Sequence, residues 1–376
     1  MSEAGFPNLR IGVLGGGQLG RMLGLAGVPL GMSFRFLDPA SDAPAADVGE
    51  MILAPFDDER AVDALAAGLD AATFEFENVP ASIAARLASL VPTCPPPLAL
   101  TIGQDRLNEK EMFTRLGITT NAYAAVDSRE DLARAIDAVG LPLVLKTRRL
   151  GYDGKGQAVC RSRDEAERAF DALRPIGVLL AEAFVAFERE VSILAVRGHA
   201  GPHGPQTRFY PLAQNTHRSG ILHVSIAPAP DSADLQSQAE RAAARVLDEL
   251  NYTGVLVIEF FVRAGVLVAN EIAPRVHNSG HWTIEGSVCS QFENHLRAIA
   301  GLPLGSTAMR EECAAMVNLV GALPPRKDLL AIDGAHIHLY AKSARPARKV
   351  GHVTVTGTRA HVLECVEQLK TLCAWA

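Results

Sequence analysis

Residues 11–22, "IGVLGGGQLGRM", constrain the fold of this chain more than any other stretch. An apolar run leads into "GGGQLG", and residues that favour a helix follow. The G-x-G-x-x-G turn of dinucleotide-binding proteins has this form, with amides at the helix start that face a phosphate. Asp38 ends the next apolar run, "FRFLD", at the place where such proteins carry an acid for the ribose. The stretch predicts an open parallel sheet, and it makes an NAD-dependent oxidoreductase one hypothesis.

Length and composition exclude several classes of protein. The 376 residues predict two or three domains, since one ordinary core does not grow to this size. A net charge of -6 gives no reason to expect nucleic acid as a partner. No apolar run approaches the roughly 20 residues that span a bilayer, and "MSEAGFPNLR" lacks the apolar core of a signal peptide. The six cysteines are scattered, which favours reduced thiols. We therefore expect a cytoplasmic protein that binds neither nucleic acid nor membrane.

The order of predicted elements divides the chain into three parts. Strands near 9–14, 33–37 and 72–77 alternate with helices near 18–27, 58–68 and 81–90, which is typical of a parallel sheet. The proline run "VPTCPPPLAL" and a charged helix then replace the second mononucleotide half that a dehydrogenase needs. We predict an N-terminal domain over 1–103, a small α+β domain over 104–187, and a larger, mostly antiparallel domain over 188–376.

The segment "VLKTRRLGYDGKGQ" is typical of a phosphate-binding loop. Lys146 ends a strand, and three glycines follow among charged residues. Glycines let the backbone approach a phosphate, and amides and lysines neutralise its charge. The segment is not a Walker loop, because no G-K-[ST] opens a helix. A turn without a ligand is the alternative.

Two glutamates in apolar strands predict a cation. "VLVIEFFV" places Glu259 on one strand, and "VLVANEIAP" places Asn270 and Glu271 on the next, across a short turn. Burying two carboxylates side by side is costly without a cation between them. Oxygen ligands favour Mg²⁺, with Mn²⁺ as a second choice. Two exposed edge glutamates are the alternative.

The segment "APRVHNSGHWT" crowds polar groups directly after the second glutamate. His277 and His281 are four residues apart, which would suit zinc on a helix. The intervening Ser-Gly argues against a helix. Anion binding by Arg275, with His277 and Asn278 as polar contacts, is the preferred interpretation.

The lysine strand, glycine loop, glutamate pair and Asn-Glu, in this order, resemble the ATP-grasp fold over nearly the whole chain. Within that superfamily, "GVLGGGQLGRM", "FEFENVP", "RRLGYDGKGQ", "EIAPRVHNSGHWTIEG" and "ARPARKVGH" resemble the 5-(carboxyamino)imidazole ribonucleotide synthetases of purine biosynthesis. The resemblance implies a homodimeric ATP-dependent carbon–nitrogen ligase with a Rossmann-like N-terminal domain. ATP would phosphorylate bicarbonate to carboxyphosphate, and the amine of 5-aminoimidazole ribonucleotide would capture the carboxyl group.

The resemblance also implies roles for individual residues. The residues expected to bind ATP are Arg106, Lys146, Gly151, Tyr152, Asp153, Gly154, Lys155, Gly156, Gln157, Glu182, Ala183, Phe184, Val185, Glu190, His217, Asn270 and Glu271. Glu259 and Glu271 would hold Mg²⁺. The residues expected around the imidazole ribonucleotide and bicarbonate are Tyr152, Asp153, Arg275, His277, Asn278, Lys342 and Arg348.

The resemblance gives the opening glycine turn a different phosphate. Gly17, Gln18 and Leu19 would hold the 5′-phosphate of the ribonucleotide at a helix N-terminus. Glu75 and Glu77, expected on one face at the end of the third strand, would reach the ribose, and Glu77 is the preferred ligand. A glycine turn that only starts a helix is the alternative.

Two positions depart from the family pattern, and three other functions stay open. Ser219 stands where an acid is expected, and Ala347 stands where glycine is expected in "RPARK". The alternatives are an ATP-grasp ligase with another acceptor (the formate-dependent glycinamide ribonucleotide transformylase or biotin carboxylase type), an NAD-dependent oxidoreductase, and an inactive nucleotide-binding scaffold.

Overall fold

The structure is a computed structural model that describes residues 8–151, 155–199 and 204–373. Over these residues the strands form three sheets, each built from a separate stretch of chain. This confirms the predicted mixture of α/β and α+β architecture, while the domain boundaries at 103 and 187 stay predictions. No described helix is both long and apolar enough to cross a membrane. All six cysteines are free thiols.

The first sheet is parallel, with strand order β3-β2-β1-β4. Its strands bury apolar runs between helices, and parallel strands place all their carboxyl ends at one edge, where the glycine turn lies. Its elements are β1 (Arg10–Leu14), α1 (Gln18–Gly27), β2 (Ser33–Asp38), β3 (Glu50–Leu53), α2 (Glu59–Ala66), β4 (Ala71–Phe74) and α3 (Ala81–Leu90). The helix α4 (Pro97–Gly103) then leads out of this region.

The second sheet is antiparallel, with strand order β5-β8-β6-β7. Its two covering helices begin at serine caps, Ser128 and Ser162, whose hydroxyls accept the otherwise unsatisfied amides of the first turn. The elements are α5 (Arg106–Arg115), β5 (Tyr123–Val126), α6 (Arg129–Val139), β6 (Leu143–Thr147), β7 (Gln157–Cys160), α7 (Arg163–Leu173) and β8 (Leu179–Ala183).

The third sheet is large and antiparallel, with strand order β14-β13-β9-β11-β12-β15-β17-β16 and β10 paired to β9. Its elements are β9 (Arg189–Gly198), β10 (Gln206–Phe209), β11 (Ala213–Arg218), β12 (Ile221–Ala227), α8 (Ala233–Glu249), β13 (Gly254–Arg263), β14 (Val266–Ala273), α9 (Thr283–Gly286), α10 (Gln291–Ile299), β15 (Cys313–Val320), α11 (Arg326–Leu330), β16 (His336–Leu339), β17 (Lys349–Gly357) and α12 (Arg359–Leu372). The tail strands β15 to β17 thus extend the sheet that carries the two glutamates.

The first and third sheets share one hydrophobic core. Phe34 and Leu23 from the N-terminal region pack in the same cluster as Leu296 of α10 and Val257 of β13. The Thr73 Oγ1 atom on β4 also lies 2.9 Å from His295 Nε2 on α10. These contacts hold the glycine turn against the large sheet.

Several sequence predictions about elements need correction. The third strand was expected over 72–77, but β4 ends at Phe74, so Glu75 and Glu77 follow the strand instead of lying on it. The strands β3, β5 and β11 and the helices α4, α6, α9, α11 and α12 were not predicted. The strands β9 and β10 pair in antiparallel register from Gly198 and Gln206.

Candidate active site

The two metal-ligand candidates lie directly opposite each other. Glu259 of β13 pairs with Glu271 of β14 in the antiparallel register, which confirms that the hairpin places them side by side. Burial, opposed by the attraction of His217 and aided by the charge of Glu271, raises the pKa of Glu259 to about 7. Two facing carboxylates that repel each other provide the oxygen donors that a divalent cation needs.

Other predicted residues surround this glutamate pair. Arg106 Nη1 is 3.9 Å from Glu271 Oε2, and His277 Nδ1 is 3.7 Å from Glu259 Oε1. Next to them, His217 Nδ1 is hydrogen-bonded to Glu190 Oε2. Burial would lower the pKa of His217, but these carboxylates outweigh it and raise the pKa. The pair therefore shares its pocket with a third carboxylate, Glu190, and with Arg106 and His217.

Lys146 projects from β6 toward a buried carboxylate. Its Nζ lies 3.1 Å from Glu182 Oε1, and Lys110 Nζ lies 3.5 Å from Glu182 Oε2. Burial would raise the pKa of Glu182, but the two ammonium groups lower it to about 2. Neither Lys110 nor its neighbour Glu109 was predicted from the sequence to lie in the site. Both are buried on α5, and Glu109 Oε1 accepts the Ile272 amide at 2.5 Å.

The family resemblance implies that residues 182–185 hold the adenine of ATP through backbone groups. Most of the backbone N–H groups of this segment already donate to carbonyl groups of the protein. The Ala183 amide donates to Ala122 O at 2.8 Å, and the Phe184 amide donates to Pro142 O at 3.1 Å. The Val185 amide has no acceptor among the described residues. Val185 therefore keeps a backbone N–H that no acceptor among the described residues occupies.

The stem of the glycine loop is tied to the start of α5. Arg148 donates two hydrogen bonds to Asp105, at 2.9 and 2.8 Å, and Arg106 Nη2 lies 3.4 Å from Gly151 O. The Thr147 amide donates to Gly156 O at 2.8 Å. Three of the predicted loop residues, Tyr152, Asp153 and Gly154, lie outside the described residues. Gln157 pairs with Lys146 in the sheet.

The amides of the opening glycine turn are partly occupied by the protein's own carboxylates. The Gly16 amide donates to Asp38 Oδ2 at 2.7 Å, so Asp38 stabilises the turn. The NAD hypothesis instead requires this carboxylate to accept a hydrogen bond from a ribose hydroxyl. Glu75 accepts the amides of Gly17 at 2.8 Å and Gly20 at 3.3 Å. The expected phosphate contact through the Gly17 amide therefore needs correction. The amides of Gln18 and Leu19 have no acceptor among the described residues and could still face an anion.

Two cations from the C-terminal half reach this turn. Arg275 Nη2 lies 2.6 Å from Glu77 Oε2, and Lys342 Nζ is hydrogen-bonded to Gln18 Oε1. Burial lowers the pKa of Lys342, while Glu75 opposes that shift. The predicted phosphate and ribose residues are thus brought together with two of the predicted acceptor residues.

The histidines of "RVHNSGHWT" occupy different environments. His277 Nδ1 lies 2.9 Å from Ser279 Oγ at the edge of the glutamate pocket, and burial and Arg275 lower its pKa. His281 is fully buried and lies 3.2 Å from Gln291 Nε2. Among the described residues no three histidine, cysteine or acidic side chains are arranged to hold a metal ion, so the zinc alternative has no support.

The remaining predicted residues lie at the margin of the site. Asn278 and Asn318 exchange side-chain hydrogen bonds at 3.1 and 2.6 Å. Arg348 donates to Ser343 O and Oγ, at 3.2 and 2.9 Å. Ser219 and Ala347, the two departures, have φ angles of 49° and 62°, in the left-handed region. Ala347 therefore occupies a conformation that glycine adopts without strain.

Comparison with known proteins matches three consecutive parts of the chain to family models. Residues 9–104 match the ribonucleotide synthetase preATP-grasp domain, residues 111–292 match the ATP-grasp domain, and residues 314–365 match the phosphoribosylaminoimidazole carboxylase C-terminal domain.

Individual relatives agree over most of the chain. The N5-carboxyaminoimidazole ribonucleotide synthase of Pseudomonas aeruginosa is 55% identical over 92% of this chain and 94% of its own length. The crystal structure of the synthetase from Thermus thermophilus superposes with a TM-score of 0.91 at 52% identity, covering 96% of this chain and 98% of the other. The Aspergillus clavatus enzyme, solved with ADP and 5-aminoimidazole ribonucleotide, has a TM-score of 0.89 at 31% identity, over 98% of this chain and 100% of the other. This chain belongs to the N5-carboxyaminoimidazole ribonucleotide synthase family of ATP-grasp enzymes.

Proposed function

We propose that this chain carboxylates 5-aminoimidazole ribonucleotide at the expense of ATP, as a step of purine biosynthesis. ATP phosphorylates bicarbonate to carboxyphosphate. The carboxyl group then passes to the exocyclic amine, which loses a proton, and the products are N5-carboxyaminoimidazole ribonucleotide, ADP and phosphate. The relatives carry this name, and one of them was solved with ADP and the ribonucleotide.

One feature of the geometry supports the proposal most strongly. Glu271 lies in the glutamate pocket, and Arg275, four residues later, reaches Glu77 beside the glycine turn. Four residues span at most about 14 Å of extended chain. An ATP site and a ribonucleotide site that share this wall would bring the two substrates together, as a carboxyl transfer requires.

At the nucleotide end, the protein's task is to bind and orient phosphates. We assign Arg106, Lys146 and the loop 151–157 to the phosphates, the Val185 amide to the base, and Glu190 with His217 to the ribose. Glu259 and Glu271 fit Mg²⁺, which would neutralise charge on the transferred phosphoryl group. Mn²⁺ has the same oxygen preference and is an alternative.

At the acceptor end, the task is to hold two anions and exclude water from a labile intermediate. We assign Lys342, Arg348 and the amides of Gln18 and Leu19 to the 5′-phosphate, and Glu77 to the ribose. Arg275, His277 and Asn278, with Tyr152 and Asp153 of the loop, would surround bicarbonate and the imidazole. Location in the cytoplasm and assembly as a homodimer remain predictions.

The decisive experiment measures phosphate release with ATP, Mg²⁺ and bicarbonate, with and without 5-aminoimidazole ribonucleotide. We expect the ribonucleotide to stimulate release and the carboxylated product to form in equal amount. Turnover with formate and glycinamide ribonucleotide, or with biotin, would instead assign another acceptor. Protection against thermal unfolding by NADH, but not by ATP with Mg²⁺, would revive the oxidoreductase hypothesis, which the position of Asp38 disfavours.

A further inference from the structure

Lys110 is a buried cation for which the mechanism above has no role. It lies on α5 with 1% of its side chain exposed. Its Nζ is 3.5 Å from Glu182 Oε2 and lies within hydrogen-bonding distance of four further oxygens: Thr120 Oγ1 at 3.0 Å, Asn121 Oδ1 at 3.0 Å, Ala269 O at 3.1 Å and Asn270 O at 2.9 Å.

The surroundings of Lys110 favour an ammonium group over a neutral amine. All of these neighbours accept hydrogen bonds, since the Thr120 hydroxyl itself donates to Ala269 O at 3.0 Å. A neutral amine has only two N–H groups, and its lone pair would face one of these oxygens without a donor. An ammonium group has three donors and is attracted by the nearby carboxylate.

Glu182 is shared between two lysines. One carboxylate oxygen lies 3.1 Å from Lys146 Nζ, and the other lies near Lys110 and accepts Asn121 Nδ2 at 2.9 Å. Two ammonium groups against one carboxylate leave this triad with one net positive charge. Without Lys110, Glu182 would neutralise Lys146.

We propose that Lys110 is a positioning residue for ATP. Because Lys110 also interacts with Glu182, that carboxylate does not fully neutralise Lys146, and the Lys146 ammonium can attract the ATP phosphates. By binding the Asn270 carbonyl, Lys110 also fixes the part of β14 that carries Glu271. The inference rests on the proposed function, because it takes Lys146 as a phosphate ligand.

The test compares two variants that remove the net positive charge in different ways. Lys110→Met deletes the cation, and Asn121→Asp adds a carboxylate 3.0 Å from the Lys110 ammonium. Both should raise the KM for ATP roughly tenfold, because Lys146 becomes bound to an uncompensated anion. The KM for the ribonucleotide should stay within about twofold. Asn121→Asp keeps the lysine in place and carries the test if Lys110→Met does not fold.

A rescue experiment separates positioning from mere stability. In Lys110→Met/Glu182→Gln the anion is also gone, so Lys146 is released and part of the ATP affinity should return. Met112→Ala, a truncation of a buried side chain on the same helix, should lower stability and leave the KM for ATP unchanged. Lys146→Met gives the reference loss of ATP binding.

The outcomes distinguish this inference from the proposed function. An unchanged KM for ATP in both charge variants, an equal rise in the KM for the ribonucleotide, or a double variant no better than Lys110→Met would overturn the role of Lys110. If 5-aminoimidazole ribonucleotide does not stimulate phosphate release by the parent protein, the proposed function itself is wrong.

Discussion

The carboxylates at the two ends of the site are satisfied in different ways. In the glutamate pocket, Glu259 and Glu271 face each other, Arg106 Nη1 lies 3.9 Å from Glu271 Oε2, and the charge of His217 acts on Glu259. At the glycine turn, Glu75 accepts two backbone amides, and Glu77 has an arginine at 2.6 Å. At the first end two carboxylates face and repel each other, whereas at the second end each acid accepts hydrogen bonds from a donor of the protein.

This difference indicates what each end still needs. Two carboxylates that repel each other are stabilised by a cation between them. We therefore expect the Mg²⁺ dependence of turnover to come from the glutamate pocket and not from the glycine turn. At the glycine turn the protein's own acids occupy part of the helix N-terminus, so an anion there depends on the remaining amides and on Lys342. Substitutions at the two ends should therefore affect different substrates.

The largest effect is expected from Glu271→Gln. A neutral amide is a poor Mg²⁺ ligand among phosphate charges, so kcat should fall by roughly a thousandfold or more while the fold survives. Phosphate release should be measured across a Mg²⁺ titration, with circular dichroism to confirm folding. Glu249→Gln, on the outer helix α8, is the matched control and should behave as the parent. A folded Glu271→Gln protein with near-parental turnover would remove the metal from this pocket.

A smaller effect, confined to the other substrate, is expected from Gly17→Val. A Cβ atom at this position would lie 2.7 Å from Glu75 Oε1, so the side chain would push that carboxylate off the turn. The displaced carboxylate would disturb the neighbouring Gln18 and Leu19 amides, and losing one or two of their charge-assisted hydrogen bonds to the 5′-phosphate, at roughly 1.5–3 kcal/mol each, should raise the KM for the ribonucleotide by tens of fold. The KM for ATP should change by no more than a few-fold.

Saturation kinetics on both substrates test this separation. Gly177→Ala is the control, since a Cβ there meets no atom within 4 Å. If Gly17→Val impairs ATP alone, the glycine turn belongs to the nucleotide and the comparison between the two ends collapses.

Most elements of the fold could be predicted because their apolar residues recur with a clear period. The strand β11 escaped prediction because its sequence, "AQNTHR", is polar. Asn215 is nevertheless buried, since its amide donates to Ser192 Oγ at 3.0 Å and accepts from Ser225 Oγ at 2.8 Å. Such burial depends on partners from other strands, which no local pattern reveals.

The site shows the same limit. The facing glutamates could be predicted because charge in two apolar strands across a short turn is a local signal. Glu109 and Lys110 could not be predicted as site residues, because α5 is rich in charged residues, as helices on the protein surface usually are. A weak signal existed: they precede Met112 and Phe113 by three residues, so they share the buried face. Their contacts with Ile272 and Glu182 come only from the tertiary fold.

The two ends should also differ in how stability depends on pH. Burial outweighs the Gly17 amide and Arg275 and raises the pKa of Glu75 above 4.5 in the folded state. The folded protein then takes up this proton at a higher pH than the unfolded chain, so this group adds stability as the pH falls toward 4.5. Glu75→Gln should therefore be more stable than the parent at pH 8, by up to about 1 kcal/mol, with a gap that narrows by pH 5.

Glu182 provides the opposite case for the same measurement. Its pKa is lowered to about 2, so its contribution is present above pH 4.5 and is lost as the pH falls toward 2. Glu182→Gln should accordingly be less stable than the parent at both pH 8 and pH 5. The test measures the thermal midpoints of the parent, Glu75→Gln and Glu182→Gln at pH 8 and pH 5. If the stability difference between Glu75→Gln and the parent grows as the pH falls, the pKa of Glu75 is not raised in the folded protein.

The smallest effect concerns a strained residue at the acceptor end. Ala347 has a φ of 62° in the loop before β17, at the position where the sequence resemblance leads us to expect glycine. The left-handed conformation destabilises the folded state of an alanine by about 1–2 kcal/mol, and a glycine avoids this strain. Glycine also makes the unfolded chain more flexible, which lowers the free energy of unfolding by about 0.4–1 kcal/mol. Ala347→Gly should thus stabilise the protein by about 0.5–1 kcal/mol in denaturant unfolding. Ala331→Gly, at a φ of -76°, is the matched control and should destabilise it, because no strain is relieved there. If both variants lose stability equally, Ala347 is not strained, and the loop that carries Arg348 has a different conformation from the one described.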